Sequence, residues 1–393
     1  MAILAVNAGS STLKFSLYPR DGREVGPSVL GGNIQGLEPG GQPSIEWNWL
    51  GRTQSQNLPR AEGDAFTPAL QHLGELLAAQ ADLPAIEAVA HRVVHGGPDF
   101  SASVVVTEAI LEHLARFNSL APLHQPQNLQ GIRAFMRAFP ALPQVACFDT
   151  AFHATIPEID YRFALPRALW EQGLRRYGFH GLSYQYVMDT LQQHSTRAGG
   201  RVLMAHLGNG ASLCATQDGR SRASSMGFSA LDGLMMGTRC GTLDAGVLLY
   251  LMEHGWHHDR LQALLYKQSG LLGVSGISAD MRRLRADGST EARFAIELFT
   301  HRVLREAGAM VACLQGLDLL AFSGGIGEHD VQMRADIGRQ LAWLGVQVDP
   351  AANAAAVGEA VRAIHTPAST VEVWVVPTDE GSVAARDAAA LID

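Results

Sequence analysis

Lysine is almost absent from this 393-residue chain: of its 30 basic residues only Lys14 and Lys267 are lysines, which makes any lysine beside a glycine turn conspicuous. Cysteine is scarce as well. The four residues at 147, 214, 240 and 313 form no CxxC pair and no Cys/His ligand spacing, which excludes a disulfide framework or zinc site and leaves buried reduced thiols as the expectation. No apolar run approaches the roughly 20 residues of a membrane-spanning helix, and MAILAVNAGSS lacks a basic region followed by a long apolar one. A cytoplasmic location is expected. Basic stripes are missing too: with a net charge of -8 and a pI near 6.0, neither a nucleic acid nor an anionic membrane is an expected partner. Finally, GxxxxGK[ST] and HExxH occur nowhere, so a Walker loop and a two-histidine zinc helix are both excluded.

What remains is the balance of a compact α/β enzyme, 47% hydrophobic and 17% charged with 41 glycines, at a length that implies two or three domains. Residues 3–6 read as an apolar strand, 8–12 as a turn, and 13–17 as an alternating strand. The pattern restarts at residue 202, with a strand to 207, glycines 208 and 210 in a turn, and a second strand over 213–216. Between the two, Phe66, Leu70, Leu73 and Leu77, and then Ile110, Leu111, Leu114 and Phe117, place apolar stripes on sheet-covering helices. A long helical pattern runs over 291–314, followed by a buried strand at 317–322 that stops at a glycine turn, SGGIGEH, then by a strand over 371–376 and a short C-terminal helix. The restart sets an expected boundary near residue 150.

Strand ends that run into glycine turns are where open α/β sheets bind ligands. NAGSSTLK offers glycine, the hydroxyls of Ser10, Ser11 and Thr12, and the Lys14 ammonium, a set suited to phosphate oxygens or simply to a polar hairpin turn. HLGNGAS, with Gly208, Asn209 and Gly210, can likewise converge backbone N–H groups on an anion or merely reverse the chain. Arg92 in AHRVVHGG and Arg239 in MGTRCGTLD lie beside glycines instead of on amphipathic faces, where a guanidinium binds a carboxylate or phosphate or makes an internal ion pair. Of the histidines at 91, 95, 124, 153 and 180, His180 in YGFHG stands out because its glycine neighbours allow close approach to a phosphoryl oxygen. Asp149 in CFDTAFH and Glu380 in VVPTDEG follow apolar strands and are carboxylates suited to magnesium or to a cap or ion pair.

In order, NAGSSTLKFSL, HRVVHGG, LAPLH, FDTAFH, YGFHG, HLGNGAS, GTRCG, SGISAD, SGGIGE and the late TDE resemble the acetate kinase family, within the actin, heat-shock ATPase and sugar-kinase superfamily. The resemblance covers the whole chain. It implies an α/β fold of two actin-like (ribonuclease H-like) lobes, with mixed sheets and flanking helices around a nucleotide cleft: residues 1–150 completed by a C-terminal helix at 381–393, and a nucleotide-binding lobe at 151–380. It implies that Ser10, Thr12 and Lys14 contact phosphates, that Asn7, Asp149 and Glu380 hold or order Mg2+ (or Mn2+), and that Arg92, His180, Arg239 and Asn7 surround the transferring group with Asp149 as a catalytic partner. His206, Gly208, Asn209 and Gly210 would cradle ATP phosphates, and Asp280, Arg282, Gly325 and Ile326 would line the adenosine pocket. Arg92, Val94, Leu123, His124, Phe179 and Ala230 would form the acid's pocket, and the partner would be a second copy in a homodimer.

Departures from the family's usual residues are Thr12 for serine, Gln125 for asparagine, Met281 for phenylalanine and Ala230 for proline, with Met235 and Thr242 also unusual. A smaller residue at 230 leaves room for another methylene, worth about 0.8 kcal/mol. The expected reaction is reversible transfer of the ATP γ-phosphoryl group to acetate by in-line attack of the carboxylate, giving acetyl phosphate and ADP. The alternatives are a propionate or butyrate kinase of the same fold and, from another class, a non-catalytic nucleotide-responsive module.

Overall fold

The computed structural model describes residues 1–393 except 10, 39, 50, 60–65, 81 and 123, so the expected roles of Ser10 and Leu123 lie outside the described residues. The chain divides into two compact units, Met1–Ala151 with Asp379–Asp393, and Phe152–Thr378.

In the first unit, Ile3, Leu4, Leu13, Phe15 and Leu17 are fully or almost fully buried, because the alternation of β2 puts Leu13, Phe15 and Leu17 on the core face and Lys14 on the other. Its strands are β1 (Ala2–Ala8), β2 (Thr12–Asp21), β3 (Glu24–Val25), β4 (Leu30–Gln35), β5 (Ser44–Trp49), β6 (Arg52–Asn57), β7 (Ile86–Val93), β8 (Val104–Val105) and β9 (Gln144–Phe148). Among the described residues they form one sheet of order β6-β5-β4-β2-β1-β7-β9-β8, with β3 paired to β2. β1 and β2 are an antiparallel hairpin, whereas β7 runs parallel to β1 and β9 parallel to β7. Helices Phe66–Ala79 and Gln125–Ala138 pack together, burying Leu70, Leu73, Leu77, Leu129, Ile132 and Phe135. The last helix, Glu380–Ile392, packs on β1 and β7 through an alanine face that permits close approach.

The second unit repeats this plan. Its strands are β10 (Val202–Leu207), β11 (Ala211–Gln217), β12 (Arg220–Ser224), β13 (Leu319–Ser323), β14 (Arg362–Ala363) and β15 (Glu372–Val375), in the order β12-β11-β10-β13-β15-β14. Again a hairpin, β10–β11, is followed by two strands parallel to its first member. Helix Thr290–Leu314, capped by the Ser289 hydroxyl, covers β11. Two expectations need correction. SGGIGEH is a short helix, Gly324–His329, and only Gly324 turns the chain, with φ of +73°. A side chain there would strike the Leu207 backbone, so glycine is required and the helix starts directly behind it. The thiols are not all buried: Cys147 and Cys214 are, Cys240 is half-buried and Cys313 is exposed.

One buried histidine in each unit is held neutral. His91 donates from Nε2 to Gln144 Oε1 (2.7 Å), whose own amide is committed to the Leu142 carbonyl. His153 Nε2 donates to the Phe179 carbonyl (2.9 Å) while Nδ1 meets Ser221 Oγ (2.9 Å). Burial lowers both pKa values to about 4 from 6.5. Between those values the unfolded chain takes up protons that the folded chain refuses, so stability falls as pH drops from about 6.5 to about 4 and is unaffected by these groups above that window. Calorimetry should show Tm falling across that window, and a flat Tm there would contradict neutral burial.

Candidate functional site

In the first unit three parallel strands deliver polar residues to one sheet edge. Asn7 is the penultimate residue of β1, Arg92 that of β7, and Asp149 directly follows β9, where its N–H extends the ladder to the Val93 carbonyl (3.0 Å). Across the hairpin Asn7 pairs with Lys14, so amide and ammonium share a face, and the Gly9 N–H closes the turn on the Thr12 carbonyl (2.8 Å). Buried Asn128 braces two strand ends, donating to the Ala8 carbonyl (2.8 Å) and accepting from Val94 N–H (3.0 Å).

Gln125 occupies the position where the family usually has asparagine. It is fully buried and holds both backbone groups of His95, at 3.2 and 2.9 Å. His124 is the first residue before the helix that Gln125 begins.

Arg92 donates a two-pronged pair to Asp149, Nε to Oδ1 at 3.0 Å and Nη2 to Oδ2 at 2.7 Å, and its Nε lies 3.4 Å from Glu380. Burial alone would lower the guanidinium's pKa, but the Asp149 and Glu380 charges outweigh burial and raise it well above the usual arginine value. The Nε and Nη2 prongs are thus committed to Asp149. Asp149 and Glu380 also form a hard, oxygen-only donor set. Two carboxylates plus substrate phosphates and water suit Mg2+; among the described residues there is no cluster of three or more His, Cys, Asp or Glu that could hold a metal without such outside ligands.

In the second unit His180 has a left-handed backbone (φ 59°, ψ 27°) and starts helix Gly181–His194. Such a conformation is uncommon for a side-chain-bearing residue and concentrates at functional sites. Behind it Gly178 lies so close to the His153 ring that a Cβ would come within 2.6 Å, and His153 also holds the Phe179 carbonyl. Phe179 is fully buried. The imidazole of His180 stacks on His206, the penultimate residue of β10 (centroids 4.3 Å apart, 27° between planes). Its Nδ1 meets Ser212 Oγ at 2.9 Å. A Cβ on Gly210 would lie 3.3 Å from both Arg239 Nη2 and His180 Nε2, so the two nitrogens converge on the turn between β10 and β11. Arg239 is fixed by Nη1 donating to the Ala230 carbonyl (2.7 Å). Met235 is buried, and Thr242 donates to Asp232 (3.0 Å).

That turn also borders a cavity of about 1040 Å3, lined by Gly208, Asn209, Asp280, Arg282, Gly325 and Ile326 together with Met281, Arg285, His329 and Asp330. Asp280 caps helix Met281–Asp287 and receives both prongs of Arg282 (3.1 and 2.7 Å), which hold its carboxyl at about 2. Arg285 and Asp330 were not anticipated. Their ion pair (3.0 Å) joins segments 45 residues apart, and no local spacing announces it. Fully buried Arg334 supports the opposite wall by donating to the carbonyls of Gly327 (2.9 Å) and Glu328 (2.7 Å) in helix Gly324–His329.

Comparison with known proteins agrees across the chain. A family model described as the Acetokinase family matches residues 2–386. An acetate kinase of Rhodopseudomonas palustris is 48% identical over 397 residues, covering 100% of this chain and 98% of its own length. Among solved structures, a propionate kinase from Francisella tularensis matches at a TM-score of 0.90 and 36% identity, covering 98% of both chains. The acetate kinase of Porphyromonas gingivalis matches at 0.89 and 34%, covering 100% of both. The two-sheet architecture is therefore the actin-like fold these kinases share. From the ordered motifs, the fold and the full-length relatives together, this chain belongs to the acetokinase family.

Proposed function

We propose that this chain moves the γ-phosphoryl group of ATP reversibly onto acetate by direct in-line attack of the carboxylate oxygen, forming acetyl phosphate and ADP. Membership of the family makes it a phosphotransferase with a carboxyl group as acceptor, and the non-catalytic alternative loses its support. The observation that carries the residue assignment is the meeting of Gly208, Asn209, Asp280, Arg282, Gly325 and Ile326 in one cavity, beside a turn on which Arg239 and His180 converge.

Acetate is ionised at neutral pH, its pKa lying near that of other carboxylates at about 4, so attack needs no general base. The barrier is repulsion between anions. Arg92 receives the acid's carboxylate on its Nη1 side, while its pairing with Asp149 keeps the guanidinium in place. Lys14 and the turn 208–210 receive ATP phosphates. Arg239 and His180 donate to the equatorial oxygens of the transferring phosphoryl group, whose charge redistributes as it moves. Asp149 and Glu380, with Asn7, would hold Mg2+ or Mn2+, which when bound neutralises phosphate charge. Val94, His124, Phe179 and Ala230 bear on the acid's methyl group.

No helix among the described residues is long and apolar enough to cross a membrane, and the cytoplasm is the location we assign. A second copy of the chain is the proposed partner. Helix Ala245–Glu253 is largely apolar yet buries no residue, and it leaves Leu249, Tyr250 and Met252 each more than half exposed, a face suited to a symmetric dimer.

Three outcomes test this reading. Arg239→Ala should lower kcat by about 10²–10³-fold with ATP affinity within a few-fold, and wild-type turnover in that variant would sink the assignment. Hydroxylamine trapping of acyl phosphates across C2 to C4 acids should give acetate the highest kcat/KM; a preference for propionate would make residue 230 a pocket enlarger. Sedimentation should show a dimer that Leu249→Glu converts to a folded monomer, and an unchanged dimer would exclude this face.

A further inference from the structure

We propose that Tyr184 and Ser212 form a proton-ordered relay that fixes His180 as the neutral tautomer with its hydrogen on Nε2, which makes both of them positioning residues. This rests on the reading of His180 as a donor to the transferring phosphoryl group. Tyr184 lies one helical turn after His180 and is fully buried, as is Ser212 on β11. The phenol oxygen is 2.5 Å from Ser212 Oγ, and Ser212 Oγ is 2.9 Å from His180 Nδ1.

The order of the protons follows from counting them. Burial raises the phenol pKa well above 10, so Tyr184 keeps its proton, and the backbone amide of His206 is hydrogen-bonded to the phenol. A buried O–H without an acceptor is costly, and the acceptor this phenol reaches is Ser212 Oγ. Ser212 has one proton of its own, which it then gives to His180 Nδ1. That makes Nδ1 an acceptor and leaves the ring's hydrogen on Nε2, the atom that converges with Arg239 Nη2 on Gly210. The opposite order, with Nδ1–H donating to serine and serine to tyrosine, strands the phenol proton. It would also present a lone pair at Nε2 to an anionic oxygen.

The ring plane is held independently. His206 stacks on it, and His206 itself is tethered through Nδ1 to Ser183 Oγ (2.8 Å). What remains to be set at His180 is which nitrogen bears the proton, and Ser212 Oγ lies within hydrogen-bond distance of Nδ1.

The test is NMR of the full chain with 15N-labelled histidine, held at a pH where His180 is neutral, alongside steady-state kinetics. In the wild type the His180 ring should show one tautomer, with the hydrogen on Nε2. In Ser212→Ala both tautomers should appear and kcat should fall by about 10- to 100-fold, with KM for ATP changed less than about threefold. Ser212→Thr, which keeps the hydroxyl, should restore the single tautomer and most of kcat. Tyr184→Phe, which removes only the phenol oxygen, should shift the ring in the same direction as Ser212→Ala and covers the case in which that variant does not fold.

A wild-type ring protonated on Nδ1 overturns the relay, and so does a folded Ser212→Ala or Tyr184→Phe ring still ordered as in the wild type, whatever its turnover. A tautomer mixture with unchanged kcat overturns the positioning role. A wild-type protein that makes no acyl phosphate would instead refute the phosphoryl-transfer reading, because the tautomer is read on the free protein.

Discussion

A carboxylate that is only 2% exposed has to be neutralised where it stands, and Asp149 is neutralised by the fork of Arg92. Much of the first unit follows from that pair. Parallel β7 and β9 bring Arg92 and Asp149 to the same edge, and the ladder bond from Asp149 N–H to Val93 fixes the carboxylate there. Glu380 adds a second carboxylate from the first turn of the last helix, so the chain's end has to return to the unit in which the chain began. That helix is seated by its alanines, by Tyr18 bonding to Asp379, and by Ser103 bonding to Asp387 (both 2.5 Å). The net charge of the trio is -1, one guanidinium against two carboxylates. A negative cluster of this kind favours an added cation, in keeping with the metal-holding role proposed for Asp149 and Glu380.

The second unit brings different groups to the same place in the plan. Strand order β4-β2-β1-β7-β9 in one unit and β12-β11-β10-β13-β15 in the other are the same arrangement with the same directions. In both, the turn after the first strand is rich in small residues. In both, the functional candidates gather there and at the carboxyl ends of the parallel strands, where open α/β sheets bind ligands. The difference is chemical: an ion pair with two carboxylates marks the first unit, whereas the turn 208–210 is bordered by imidazoles, hydroxyls and one guanidinium.

The hairpins and the long helix were legible because alternation, glycine turns and a 3.6-residue stripe are local signals. SGGIGEH was not legible as a helix, since three glycines in seven residues argue for a turn, and what makes it helical is remote. Arg334 gathers the Gly327 and Glu328 carbonyls, while the Glu328 carboxylate accepts from the N–H groups of Gly324 (2.8 Å) and Thr378 (3.1 Å). The Arg285–Asp330 pair was hidden for the same reason. Gln125 looked like a mere departure, although its extra methylene lets one side chain hold both backbone groups of His95. Ser212 and Tyr184 lay inside quoted or adjacent motifs, but only the strand register, which sets Ser212 opposite His206, discloses what they touch.

Ala230 is where the reading of the sequence changes most. In the proposed acid pocket, alanine in place of proline would remove two ring carbons, and each additional methylene of room is worth about 0.8 kcal/mol, a factor of about four between acids one carbon apart. As a backbone, however, residue 230 supplies the carbonyl that fixes Arg239. Proline and alanine both carry that carbonyl, so the exchange keeps the acceptor that Arg239 uses. Met235, one of the two other unusual residues, is 3% exposed and packed in the core, and Thr242 is engaged with Asp232 and Gly233. Of these three unusual positions, Ala230 is the one whose side chain the proposed acid pocket would feel.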